Sequence, residues 1–132
     1  AMDDLYLEQI LNHYREPRNK GRLESPDISY ADDNPLCGDR IEMDLRLDEE
    51  GRVAEVAWDG QGCAISMASA SMLSEQIKGK TLDELRHLGK DEILEMLGIE
   101  LGPVRIKCAL LSLKVLKAGA YGLTSWTGDD EV

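Results

Sequence analysis

The sequence predicts an α+β domain in which one helix precedes a small antiparallel sheet and several helices follow, packed on one sheet face. Three observations carry this. Apolar residues recur at helical spacing near the N-terminus, two strand-like runs are joined by the acidic turn Glu49-Glu50-Gly51, and from Ala64 onward the period is helical, punctuated by glycine and proline.

Leu5, Leu7, Ile10, Leu11 and Tyr14 follow Asp3 and Asp4 at helical spacing and predict a short amphipathic helix that Pro17 terminates. The polar stretch 18–33 has no clear period and reads as a loop, at best a weak edge strand around Gly21 to Leu23. Ile41, Met43, Leu45 and Leu47 alternate with Glu42, Asp44, Arg46 and Asp48, the period of a strand with one buried face. Val53 to Trp58 is a second strand that pairs with it as a hairpin, and Asp59 to Gly62 closes the run. Small and apolar residues from Ala64 to Ile77 predict a helix able to approach the sheet closely, with Gly79 beyond its end. Thr81-Leu82-Asp83-Glu84 is a capping-box pattern for a helix through Leu88, Asp91 is a cap for another through Leu97, and Pro103 opens a last helix through Gly119. Met67, Met72 and Met96 fit core filling.

At 132 residues with a 42% hydrophobic share, the chain is long enough for one core that does not depend on a metal or disulfide. Fifteen basic residues stand against 26 acidic ones, and the net charge of −11 argues against nucleic acid or an anionic membrane as partner. No apolar run approaches the roughly 20 residues of a membrane span, and there is no basic-then-apolar leader, so the expected compartment is cytoplasmic. Three cysteines in a reducing compartment point to metal or sulfur chemistry rather than to disulfides.

Those cysteines lie in Asn34-Pro35-Leu36-Cys37-Gly38-Asp39, in Gly60-Gln61-Gly62-Cys63-Ala64 and in Arg105-Ile106-Lys107-Cys108-Ala109. They read as one site. Three thiolates and the Asp39 carboxylate suffice to surround zinc, or to hold most of an iron–sulfur cluster with one exchangeable position. Their separations are far too long for a local zinc knuckle, so only the tertiary fold can gather them: Cys37 before one hairpin strand, Cys63 after the other, Cys108 near a helix opening. Cys63 precedes a predicted helix, whose positive N-terminus favours thiolate, and Cys108 is expected to share this effect. Lys107 is a candidate stabiliser of the Cys108 anion.

Each assignment has a plainer competitor. Cysteine is among the most buried residue types, and Asp after Gly is commonly a turn residue; glycine-rich contexts and the two-residue offset of Asp39 from Cys37 favour the site. Gly60-Gln61-Gly62 lacks the third glycine of a dinucleotide loop, since position 65 is Ile. His13 and His87, on helices remote from the thiols in sequence, read as surface or partly buried residues rather than ligands.

Together with His13-Tyr14-Arg15-Glu16-Pro17-Arg18-Asn19, the three cysteine segments resemble the iron–sulfur cluster assembly scaffolds, the IscU, SufU and N-terminal NifU group. The resemblance implies a three-stranded antiparallel sheet with helices on one face, a scaffold domain over residues 2–119 and a flexible acidic tail over 120–132. It implies that Cys37, Asp39, Cys63 and Cys108 form the ligand set, with Cys37, Cys63 and Cys108 the candidates to accept persulfide from a cysteine desulfurase. Iron and a [2Fe-2S] cluster are the implied cargo, zinc an implied occupant of the same site. Iron and electron donors and recipient apoproteins are the implied further partners. Two departures stand out. Lys107 occupies the position where IscU-type members carry His, as in SufU-like members, yet the stretch between Cys63 and Cys108 is short, as in the IscU type. Leu101-Gly102-Pro103-Val104-Arg105 departs from the IscU chaperone motif and weakens the case for an Hsp70-type partner. Three readings stay open: a scaffold; a zinc-dependent sulfurtransferase in which Asp39, Cys63 and Cys108 hold zinc while Cys37 takes the sulfur; and a structural zinc module.

Overall fold

A computed structural model of the protein describes residues 2–34 and 38–122. Helix α1 (Met2–Arg15) leads into a sheet of β1 (Ile28–Asn34), β2 (Asp39–Leu47) and β3 (Val53–Gln61), followed by α2 (Ala64–Gln76), α3 (Leu82–Arg86), α4 (Lys90–Leu97) and α5 (Pro103–Tyr121). The sheet is antiparallel in the order β1-β2-β3, so each strand pairs with its neighbour in sequence. Hairpin β2–β3 turns at Asp48, whose carboxylate accepts from the amides of Glu50 at 2.9 Å and Arg52 at 3.0 Å, with Gly51 at φ 79° closing the reversal.

Ile41, Met43 and Leu45 of β2 and Val56 and Trp58 of β3 share the inner face and are buried in one core with α2 and α5. Helix α2 lies in this core with Ser66, Ser69, Ser71 and Ser74 buried alongside its apolar residues, small side chains that let neighbouring backbones approach. Their hydroxyls are satisfied by carbonyls and polar groups of the surrounding elements. Thr81 caps α3 through the expected box with Glu84. Helix α4 starts one residue before Asp91, at Lys90 behind the cap Gly89, whose amide donates to the Glu92 carboxylate. Helix α5 continues past Gly119 to Tyr121 and ends at Gly122 with φ 72°, its last turn held by Arg86, which donates to the Ala120 carbonyl at 3.0 and 2.9 Å. Residues 123–132, most of the expected tail, lie outside the described residues.

The segment 18–33 differs from expectation. Its strand is β1, at 28–34, while residues 20–23 make a single bridge from Lys20 to Trp58 and then cross the outer face of the sheet. There Arg22 donates to Asp44 at 2.8 Å and the Leu23 amide to the same carboxylate at 3.1 Å, leaving Asp44 fully buried where the alternation predicts a solvent-facing residue. In α1 the buried stripe is Ile10 and His13, with Tyr6 seated against Gly98, whereas Leu5, Leu7 and Tyr14 are exposed. His13 is thus a core residue rather than a surface one. Among the described residues no helix is long and apolar enough to cross a membrane.

Candidate metal centre

Asp39, Cys63 and Cys108 come together where three elements end or begin. Asp39 opens β2, Cys63 caps α2, and Cys108 lies in the second turn of α5; one ligand atom from each falls within 4.8 Å of the others. The hairpin register explains the first pair: Arg40 opposite Gln61 places Asp39 beside the Gly62-Cys63 link. Glycine is required there, because φ at Gly62 is +156° and a Cβ would stand 2.2 Å from the Asp39 Oδ1.

The carboxylate is buried and held from several sides. The Cys63 amide donates to Oδ1 at 3.0 Å, while the Cys63 thiol donates to Oδ2 at 3.7 Å and the buried Ser66 hydroxyl donates to the same oxygen. The Ser66 hydroxyl is also 2.9 Å from the Cys108 carbonyl, so one side chain of α2 touches both β2 and α5 at the site. One turn on, Ser69 repeats the helix-to-helix bond with the Ala109 carbonyl at 2.7 Å but does not reach Asp39. Asp39 and Cys108 are closed off from solvent; Cys63, partly exposed and a free thiol, faces the way in.

Cys63 has the expected place at a helix N-terminus. Cys108 does not share it. Its second-turn position lies beyond the reach of the α5 N-terminal dipole, which falls off within the first turn. Lys107 is exposed, and consecutive side chains on a helix diverge by about 100°. Cys37 lies outside the described residues; its neighbour Gly38, at φ 70°, donates its amide to the Asn34 carbonyl at 2.9 Å across the β1–β2 turn. His13 and His87 take no part in the cluster.

Two sulfurs and a carboxylate this close suit a tetrahedral cation once Cys108, disulfide-bonded in this structure where the sequence predicts reduced thiols, is reduced. With metal–sulfur bonds of about 2.3 Å and metal–oxygen bonds of about 2.0–2.2 Å, ligand atoms around zinc stand roughly 3.5–3.8 Å apart, and the Cys63 sulfur and Asp39 Oδ2 are already 3.7 Å apart. Mixed soft and hard donors fit zinc or iron better than magnesium or calcium. Ser66 is the site residue that sequence reasoning does not find. It is one of four serines in α2, and only its place in the first turn sets it apart in sequence.

The chain matches the sequence profile described as "NifU-like N terminal domain" over residues 5–127. It is 38% identical to the zinc-dependent sulfurtransferase SufU of Bacillus subtilis, over 89% of this chain and 90% of that protein. Identity to the iron–sulfur cluster assembly scaffold protein IscU of Escherichia coli K12 is 34%, over 86% of this chain and 89% of the relative. A crystal structure from Fervidobacterium islandicum AW-1, assigned as an iron–sulfur cluster assembly scaffold of the SUF system, superposes with a TM-score of 0.77 at 25% identity, covering 91% of this chain and 99% of the other.

Proposed function

Because the chain belongs to the NifU-like N-terminal domain family, we propose that it is a scaffold on which a [2Fe-2S] cluster is assembled from iron and desulfurase-derived sulfur and then passed to recipient proteins. The observation that supports this reading is the meeting of Asp39, Cys63 and Cys108 at one partly accessible point. Cys37 is the proposed fourth ligand. A carboxylate is a weaker partner for a soft iron than a thiolate, so a site with Asp39 among its ligands holds cargo and lets it go. Cys37, Cys63 and Cys108 are the proposed sulfur acceptors. The proposed partners are a pyridoxal-phosphate cysteine desulfurase, recipient apoproteins and sources of iron and electrons.

A second reading is favoured by the 38% identity to a zinc-dependent sulfurtransferase and by Lys107 in place of the IscU histidine. In it, zinc sits on Asp39, Cys63 and Cys108, and Cys37 takes the persulfide. One anaerobic reaction with ferrous iron, cysteine, a reductant and a desulfurase separates the two. The scaffold reading expects [2Fe-2S] absorbance with acid-labile sulfide on this protein. Colourless, sulfide-free protein that nevertheless raises desulfurase turnover, and loses that effect on Cys37→Ala, establishes the sulfurtransferase instead.

A further inference from the structure

We propose that Ser66 is a positioning residue that keeps Asp39 a releasable ligand, its hydroxyl competing with a bound cation for the carboxylate oxygen that faces the Cys63 sulfur. The inference rests on the metal-site reading above. Ser66 is buried, and its one hydroxyl hydrogen has two acceptors in reach, Asp39 Oδ2 and the Cys108 carbonyl at 2.9 Å. The carboxylate is the stronger acceptor because it is charged. Among the described residues Oδ2 has two donors, the Cys63 thiol and the Ser66 hydroxyl, and binding of that sulfur to a metal as thiolate leaves Ser66.

The sign of the effect follows from what else holds Asp39. Hydrogen-bonding partners behind a metal ligand ordinarily favour bound metal, and their loss costs about 10–100-fold in affinity. Here orientation has other sources: the Cys63 amide on Oδ1 at 3.0 Å and the Gly62 backbone against the carboxylate. Ser66 instead occupies Oδ2, the oxygen that faces the Cys63 sulfur. Coordination draws charge from that oxygen and weakens the hydroxyl bond, so the bond stabilises the metal-free state more than the bound one. The hydroxyl then has somewhere to go, because rotation of the O–H turns its hydrogen to the Cys108 carbonyl. A ligand with such a competitor is displaced easily.

The test is zinc affinity by chelator competition, zinc release by chelator chase, and the ligand-field bands of the cobalt(II) form, on the full chain. Ser66→Ala is expected to bind zinc about tenfold more tightly, release it more slowly and shift the cobalt bands, and Ser66→Thr to restore the parent values. Ser69→Ala, which removes an equivalent buried helix-to-helix bond, is expected to leave zinc affinity unchanged. In an Asp39→Ala background, Ser66→Ala is expected to have no effect on affinity. A merely structural role for Ser66 gives the opposite sign, weaker binding, and that result, or unchanged binding, overturns the inference. If Ser66→Ala does not fold, the isosteric pair Ser66→Thr and Ser66→Val carries the same comparison. Failure of the parent protein to take up zinc or cobalt overturns the metal reading and this inference with it; uptake by the parent with an unaltered Ser66→Ala overturns this inference alone.

Discussion

Gly62 shows how a single backbone position sets the site. A Cβ there would lie 2.2 Å from the Asp39 Oδ1, and φ of +156° is one that side-chain-bearing residues rarely adopt. Gly62→Ala therefore has to push Asp39 aside or bend the β3–α2 junction. We expect it to weaken zinc binding at least about tenfold and to lower stability by about 1–3 kcal/mol, the range for an imposed backbone strain. Gly102→Ala, at φ −71° with nothing within 4 Å of the new methyl, is the control: zinc affinity is expected to hold, and stability to fall only by the modest cost of alanine at the α5 N-cap. Chelator competition and denaturant unfolding on both variants check the contrast. Asp39 and Cys63 stand out in sequence as reactive residues beside glycine, whereas Cys108, between Lys107 and Ala109, offers only its residue type. Ser66 does not stand out, since serine in a helix reads as filler and its partners come from two distant elements.

Among the elements, α1 is bound to α2 through a titratable contact. His13 Nδ1 lies 2.7 Å from the Ser71 hydroxyl, which also accepts from the Arg18 amide at 2.9 Å, and His13 Nε2 lies 3.6 Å from Glu75. Burial, then the neighbouring Arg18 charge, lower the His13 pKa below 6.5, with Glu75 opposing. The sign is fixed by linkage: the unfolded chain binds this proton more readily, so stability is full above pH 6.5 and is lost as pH falls through that value toward the folded pKa. Melting temperature is expected to fall between about pH 7 and 5, and more gently in His13→Gln, for which parallel melts are the measurement. The helical spacing that finds buried Ile10 in α1 also picks out Leu5 and Leu7, which are exposed, and reads His13 as surface or partly buried where it is core. Similarly β1 is hidden because most of its residues are half-buried without alternation, and acidic residues such as Asp32, 3.6 Å from Lys114 of α5, give it the composition of a loop.

For the whole molecule the question is whether the metal holds the fold or the fold holds the metal. Helix α5 runs through the core from Cys108 to Ala120, packs on α2 and on β1 and β2, and is tied at its far end by Arg86. Trp58, Ile41, Leu73 and Leu113 are fully buried in the same cluster, and a chain of this length buries about two-thirds of its surface on folding. At the site itself, the described residues already satisfy one another without an ion: Asp39 accepts from Cys63 and Ser66, and Ser66 reaches α5. Zinc removal is thus expected to leave a folded protein. By mass action, free zinc at 100 times its dissociation constant adds about 2.7 kcal/mol, and its removal lowers the melting temperature by roughly 8–14 °C with cooperativity retained. Far-UV circular dichroism and calorimetry of chelator-treated protein measure this, and readdition of zinc restores the parent transition. Loss of the helical signal on chelation would instead make the ion part of the core and the site a structural staple, which is incompatible with a centre that gives up its cargo.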